Sequence, residues 1–320
     1  MAVKLSKQPI SEGYALWDKG YVLGAMRLFI FKAESVPPFQ LAGCLDAIAH
    51  LMVQVEEFED AIENFTNAAE KYEMIQHPIL AKYSRAKILE CKSDPAGALA
   101  AVNELLKDFQ GDLSGKDAKT KAGLARVFFY RAELLVKTDD IANAIADATQ
   151  AVALGWDRVH TGQILLGNLL AMKGNKDASL SAFKSATSNI NSYAAYEGVA
   201  LGLKDLKRFS EALPFFDHAL SLHTKTTLIR EKAFCLAEIE GKDVEAIALL
   251  DQHIKEPPKE EFDPTIPPLP RCTLHKAKAA VLADAGKFGE ALAVLEAAKE
   301  LDASDGEILG MITQIKDAQQ

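Results

Sequence analysis

LLGNLLAMKGNKDASLSAFKSA, running from Leu165 to Ala186, carries the pattern that decides the fold. A small residue, Gly167, is followed twelve places later by another, Ser179, and four places after that by the bulky Phe183, with Gly174-Asn175 between them. The same spacing recurs along the chain. Gly13 leads to Ala25 and Phe29, Ala49 to Ala61 and Phe65, Ala86 to Ala98 and Val102, and Ala132 to Ala144 and Ala148. After Gly167 come Ala200 with Ala212 and Phe216, Ala233 with Ala246 and Leu250, and Ala279 with Ala291 and Leu295. Only the Ala233 to Ala246 gap is thirteen residues rather than twelve. A single globular core does not generate such a series.

The physical reading is one pair of antiparallel helices per unit. Two helices cross closely only where neither carries a large side chain, because ridges must settle into grooves. The small residues mark the crossing, and the aromatic or aliphatic residue one turn on fills the space beside it. Turn chemistry falls between them at Gly20, Asp94-Pro95, Thr138-Asp139-Asp140, Gly174-Asn175, Gly241 and Gly286.

These positions resemble the tetratricopeptide repeat, a helix–turn–helix unit of about 34 residues. In the opening stretch Leu166, Gly167, Leu170, Gly174, Ser179, Phe183 and Ala186 stand on that family's signature positions. Tyr196, Val199, Ala200, Leu203, Phe209, Ala212, Phe216 and Ala219 match nearly as well, and Leu282, Gly286, Phe288, Ala291, Leu295 and Ala298 give a third match. The resemblance covers residues from about 10 to 302. It implies an all-α, right-handed superhelical solenoid of about eight antiparallel helix pairs.

The expected organisation is a single solenoid over residues 1–320, with units near 9–38, 42–75, 79–108, 125–155, 160–190, 193–223, 226–254 and 272–302. Steps between successive second-helix markers, starting from Ala25, are 36, 37, 46, 35, 33, 34 and 45 residues, so two connections are long. One is 108–120, with Gly111, Gly115 and five charges of mixed sign. The other is 255–270, which contains six of the twelve prolines and must be extended or irregular, since proline lacks the amide donor. A stack leaves its last apolar face open, so a capping helix is expected at 304–316, with Ile308, Met311, Ile312 and Ile315 on one stripe.

Composition narrows the function classes. No run of eighteen apolar residues occurs, and no apolar stretch follows the lysines of the first ten residues, so neither a spanning helix nor a secretory signal is expected. Cys44, Cys91, Cys235 and Cys272 show no short pairing, which suits reduced thiols and a cytoplasmic location. The seven histidines lack the spacing of a zinc site, and phosphate-binding glycine runs, nucleophile elbows and kinase motifs are missing, so neither metal, cofactor nor catalysis is expected. A net charge of -9 without a basic stripe disfavours nucleic acid, leaving a helical-repeat RNA binder as the weaker alternative.

In the resembled family the first helix of each unit lines the concave groove. Carried onto this chain, the groove positions are Tyr14 and Trp17, then His50, then Tyr83 and Lys87, then Arg126, Phe129 and Glu133. Ile164, Asn168, Glu197, Leu201, Arg230, Phe234 and Lys276 continue the series. Aromatic residues on an open surface are typical anchors for a partner segment; the competing interpretation is that Trp17 and Phe129 only pack against the neighbouring repeat. Pro264, Pro267, Pro268 and Pro270 spell overlapping proline-x-x-proline patterns and form a second candidate contact, the alternative being a stiff spacer. Family members that clamp chaperone tails need a lysine and asparagine set. Here the corresponding positions read Ile10, Tyr14, Ala47, Leu80 and Ser84, so no chaperone-tail clamp is expected. The expected function is a noncatalytic protein–protein interaction scaffold or subunit of a larger assembly. The alternative is an accessory subunit that positions a substrate for a separate enzyme. Fold-level analogy offers a cytoskeletal or ciliary complex as one home.

Overall fold

A computed structural model describes residues 9–19, 21–111, 113–156, 158–188, 192–257 and 272–318. The described residues contain helices and turns but no strand. The chain divides into two compact units, Met1–Ala195 and Tyr196–Gln320.

The first unit holds five helix pairs: α1 (Pro9–Asp18) with α2 (Val22–Ala33), α3 (Pro38–Gln54) with α4 (Phe58–Met74), α5 (Pro78–Cys91) with α6 (Pro95–Leu106), α7 (Ala118–Lys137) with α8 (Ile141–Leu154), and α9 (Val159–Met172) with α10 (Lys176–Thr187). A single 3-10 turn, Lys107–Phe109, follows α6, and the Asp117 carboxylate caps α7 by accepting from the Thr120 amide at 2.9 Å. The second unit contains most of α11 (Tyr193–Asp205), which pairs with α12 (Phe209–Leu222). It continues with α13 (Thr226–Ala237) and α14 (Asp243–Lys255), α15 (Thr273–Asp284) and α16 (Phe288–Leu301), and a final helix α17 (Gly306–Ala318).

The small residues sit where the helices of a pair cross. A Cβ added at Gly13 would lie 2.6 Å from the Phe29 ring, and one added at Gly167 would lie 2.9 Å from Phe183. In each case the aromatic four places beyond the second small residue abuts the first. Ser179 adds a polar tie, its hydroxyl donating to the Gly167 carbonyl at 2.7 Å. The alanines of the other crossings are essentially inaccessible to solvent.

The turns inside the pairs share one conformation. Glu56, Ser93, Asp139, Gly174, Lys207, Gly241 and Gly286 each lie two residues before a second helix, and all take positive φ, between 57° and 80°. That left-handed residue lets the next amide reach back to the carbonyl five residues earlier. Glu57 bonds Met52 at 2.9 Å, Asp94 bonds Leu89 at 2.9 Å, Asn175 bonds Leu170 at 2.8 Å and Lys287 bonds Leu282 at 2.8 Å, which satisfies carbonyls that the helix end leaves open. Asp94, Asp140 and Asn175 then cap the second helix through their side chains. The α13–α14 turn is the exception: its Lys242 amide bonds Ile239. It carries the extra residue that lengthens the Ala233 to Ala246 gap to thirteen.

α17 closes the apolar face of the last pair. Ile308, Ile312 and Ile315 are buried against Leu282, Leu295 and Ala298. The Asp305 carboxylate caps the helix start, accepting from the Glu307 amide at 3.0 Å.

Candidate functional site

Within the first unit, one face of each first helix points into a common cavity of about 380 Å³. α1 contributes Tyr14 and Trp17, three apart; α3 contributes Asp46, His50 and Val53 with Gln54; α5 contributes Tyr83, Lys87 and Glu90; α7 contributes Arg126, Phe129, Glu133 and Lys137. Spacings of three and four place such residues on one helix face. Trp156 and Arg158, from the connection between α8 and α9, and Thr161 on α9 complete the wall. Both tryptophans of the chain are therefore in it.

At the floor lies a buried polar network. Asp46 is fully buried and its Oδ2 accepts from Arg126, reached from a residue eighty positions away. His50 Nδ1 donates to the Asp46 carbonyl at 2.7 Å, since a carbonyl can only accept, so Nε2 accepts from the Tyr83 hydroxyl at 2.8 Å. Burial pushes the His50 imidazole down to about 4, against the opposing pull of the Asp46 carboxylate, and the ring is neutral at physiological pH. Asp46 Oδ1 has no donor among the described protein groups. The Arg126 guanidinium sits 5.5 Å from the Tyr83 ring centre.

A second network joins the first helix to the fifth pair. Arg158 donates to Asp18 Oδ1 at 2.6 Å, and His160 Nε2 lies 3.0 Å from the same oxygen. The Arg158 guanidinium also stacks on Trp17 at 4.2 Å and on Tyr14 at 5.0 Å. Burial works against the Asp18 carboxylate, but the His160 bond and the Arg158 charge outweigh it and hold its pKa below the usual range.

On the α5–α7 side, Glu90 takes both lysines: Lys87 at 3.2 Å, and Lys137. Burial would raise Glu90, yet these two ammonium groups bring it down to about 2. Glu133 is treated differently. Lys87 lies 3.6 Å from it, farther than from Glu90. Burial and the charge of Glu90 push its carboxyl up, with Lys87 pulling the other way. Its side chain lines the cavity and is 39% accessible.

The cavity thus gathers Tyr14, Trp17, His50, Tyr83, Lys87, Arg126, Phe129 and Glu133, all of them groove positions that the family resemblance implies. Trp17 and Phe129 both line it and pack: Trp17 against His50, with ring centres 6.4 Å apart, and Phe129 against Trp156 at 5.8 Å. Ile164 is half-buried and Asn168 exposed on α9, and neither lines the cavity. In the second unit Arg230 bonds its neighbour Glu231 at 2.8 Å, and Phe234 packs partly into the α13–α15 core. Lys276 ties α15 to α17 through Asp305 at 3.0 Å and through Glu307 at the same nitrogen, so its charge serves the closing helix. Glu197 and Leu201 on α11 are half-buried. Pro264, Pro267, Pro268 and Pro270 fall outside the described residues.

Sequence reasoning missed Asp46, Glu90, Lys137, Trp156 and Arg158. Asp46 stands one turn before His50 and Glu90 one position short of a turn after Lys87, so the helical register could have found them. Trp156 and Arg158 lie in a connection without periodicity, and no local pattern points to them. Among the described residues, no group of three or more His, Cys, Asp or Glu side chains is placed to hold a metal, and no helix is long and apolar enough to cross a membrane. The four cysteines are free thiols; burial pushes Cys44 up to about 11 and Cys235 to about 12.

No protein-family model matches the chain, and no curated protein matches it in sequence. Solved structures do. The chain is similar to the APC/C hetero-tetramer Cut9–Hcn1, with a TM-score of 0.59 and 13% identity, over 98% of this chain and 56% of that one. It is also similar to the C-terminal part of a TPR repeat-containing protein from Cytophaga hutchinsonii, with a TM-score of 0.53 and 14% identity, over 82% of this chain and 98% of that one. Helix pairs in phase, small residues at each crossing, a repeated left-handed turn and these likenesses agree: the fold of this chain is that of the tetratricopeptide repeat.

Proposed function

We propose that the chain is a noncatalytic interaction subunit, and that its first unit holds a segment of a partner protein in the aromatic cavity. The observation that carries this is the convergence of four first helices and the α8–α9 connection on one space of about 380 Å³. That volume lies at the lower end of the range of ligand pockets and suits one or two side chains of a bound segment. Its walls carry Trp, Tyr and Arg, the residue types that anchor protein contacts. The noncatalytic part is supported by the chemistry of the groups present. His50 has both ring nitrogens engaged, and the buried thiols are held protonated, so neither is poised as base or nucleophile.

The test is affinity capture with the full chain, comparing the parent with Phe129→Ala/Trp156→Ala and with the surface control Met74→Ala. Circular dichroism would establish that all three are equally helical. Recovery of a partner by the parent and by the control, but not by the double variant, is the expected outcome. Equal recovery by all three would place binding elsewhere.

A further inference from the structure

The charges around the cavity are not equally committed. Its wall carries four cations, Lys87, Arg126, Lys137 and Arg158, and three carboxylates, Asp46, Glu90 and Glu133. Every cation is already matched: Arg126 by Asp46, Arg158 by Asp18, and both lysines by Glu90. Three of the four also lie against aromatic rings, Lys87 on Tyr130 at 3.9 Å, Arg126 on Tyr83 and Arg158 on Trp17. An anionic ligand would have to displace a protein carboxylate from each.

The acceptors are in the opposite position. Asp46 is fully buried and lines the cavity, and its Oδ1 has no donor among the described protein groups. Glu133 is left with the more distant contact of a lysine that Glu90 already holds. One turn before Glu133 on the same face of α7 stands Phe129, paired with Trp156. An accessible carboxylate with only a distant lysine, one turn from an aromatic pair, forms a receptor for a cation on an apolar stem. The chain's net charge of -9 adds a long-range field that draws in basic segments and repels acidic ones.

We infer that the side chain held in the cavity is a basic one, arginine or lysine, of a partner protein segment. Its charge is received by Glu133, and its stem lies along Phe129 and Trp156. This rests on the cavity being the partner site. It also deepens that assignment, because it fixes the chemistry of what enters. Glu133 carries the selectivity, since Asp46 is half committed to Arg126. A cation bound there offsets the cost that burial and the Glu90 charge place on the ionised Glu133 carboxyl, so binding tightens as pH rises through its titration. Lys87, Glu90, Lys137, Tyr130 and Tyr83 are the other charged or titratable groups coupled to Glu133; the lysines stay paired with Glu90, Lys87 stays on the Tyr130 ring and Tyr83 stays bonded to His50.

Both tryptophans line the cavity, so their emission reports on it directly. The experiment titrates the full chain with three blocked pentapeptides that differ only in a central arginine, glutamate or glutamine. The arginine peptide is expected to change the emission saturably, and Glu133→Gln to weaken it about tenfold at unchanged thermal midpoint. Gln is a mild replacement there, because it keeps the size and the acceptor oxygen of the side chain and removes only its charge. If the arginine peptide binds Glu133→Gln as well as the parent, the cation assignment falls. If the glutamate peptide binds and the arginine peptide does not, the cavity remains a partner site and the basic side chain is wrong. No response to any of the three overturns both.

Discussion

At Gly167 the structure leaves no room for even one carbon. Phe183 lies where a Cβ would go, and Ser179 is bonded to the Gly167 carbonyl. Gly167→Leu therefore forces α9 from α10, and overpacking of this kind costs about 1–3 kcal/mol or more; an unchanged thermal midpoint would remove the crossing-point assignment. The opposite change applies to Lys207, exposed and held at φ 57° where glycine would be unstrained. Lys207→Gly should raise the urea midpoint by the equivalent of about 0.5–1 kcal/mol, the relief of a left-handed conformation less the added freedom of the unfolded chain. A lower midpoint would mean that the lysine side chain, not the backbone, governs that turn. His50 sets the acid response. Its folded pKa, about 4, lies below its unfolded value, so its contribution is complete above the unfolded pKa and is lost as pH falls from 6.5 towards 4. Asp46, Tyr83, Lys87 and Arg126 surround it, and its side chain is 22% accessible. After allowance for that exposure, the parent should lose about 2 kcal/mol more than His50→Gln between pH 7 and pH 4.5 in urea unfolding. His77, also lowered to about 4 by burial, is common to both proteins and cancels. Equal losses would show that His50 is not held neutral by its surroundings.

Among the elements, α17 is the one whose removal is most informative. Three isoleucines bury their side chains on the last pair, and Lys276 is tied to Asp305 and Glu307 at its start. Burying such a side chain contributes about 1.5–3 kcal/mol, so a chain ending at Asp302 uncovers a large apolar face around Leu295. It should aggregate on size-exclusion chromatography, while a monomeric, equally soluble truncation would contradict a closing role. The helix pairs were legible in the sequence because the crossing restricts two positions at fixed spacing, and Gly13 with Phe29 or Gly167 with Phe183 records that restriction in residue type. The turns were legible only where glycine, asparagine or aspartate occupies them. Glu56 and Lys207 adopt the same left-handed geometry with no sequence mark, and at Ser93 the mark is the Asp94-Pro95 that follows it. The start of α7 was partly legible: the polar stretch 108–120 reads as a loop that leaves room for a lengthened helix before Phe128, and Asp117 caps a helix that extends seven residues ahead of Ala125.

At the scale of the whole molecule, the first helices of the first unit share one face, and that face makes the cavity. The family resemblance implied the residues of that face by their place on the first helices, and Tyr14, Trp17, His50, Tyr83, Lys87, Arg126 and Phe129 line the cavity. Trp156 and Arg158 could not be read that way, because contacts spanning 140 residues leave no local trace. Nor could the commitment of Lys276 to α17, since the partner helix lies outside its own repeat. The central claim is that a partner is held inside this cavity. Photo-cross-linking of the full chain tests it most directly, with benzoylphenylalanine placed in turn at Phe129 in the cavity, at Met74 on the outer surface and at Phe234 in the second unit. The account predicts a covalent adduct with the captured partner from position 129, competed away by the arginine pentapeptide, and little from positions 74 and 234. An adduct from position 74 or 234 with none from 129 would contradict it.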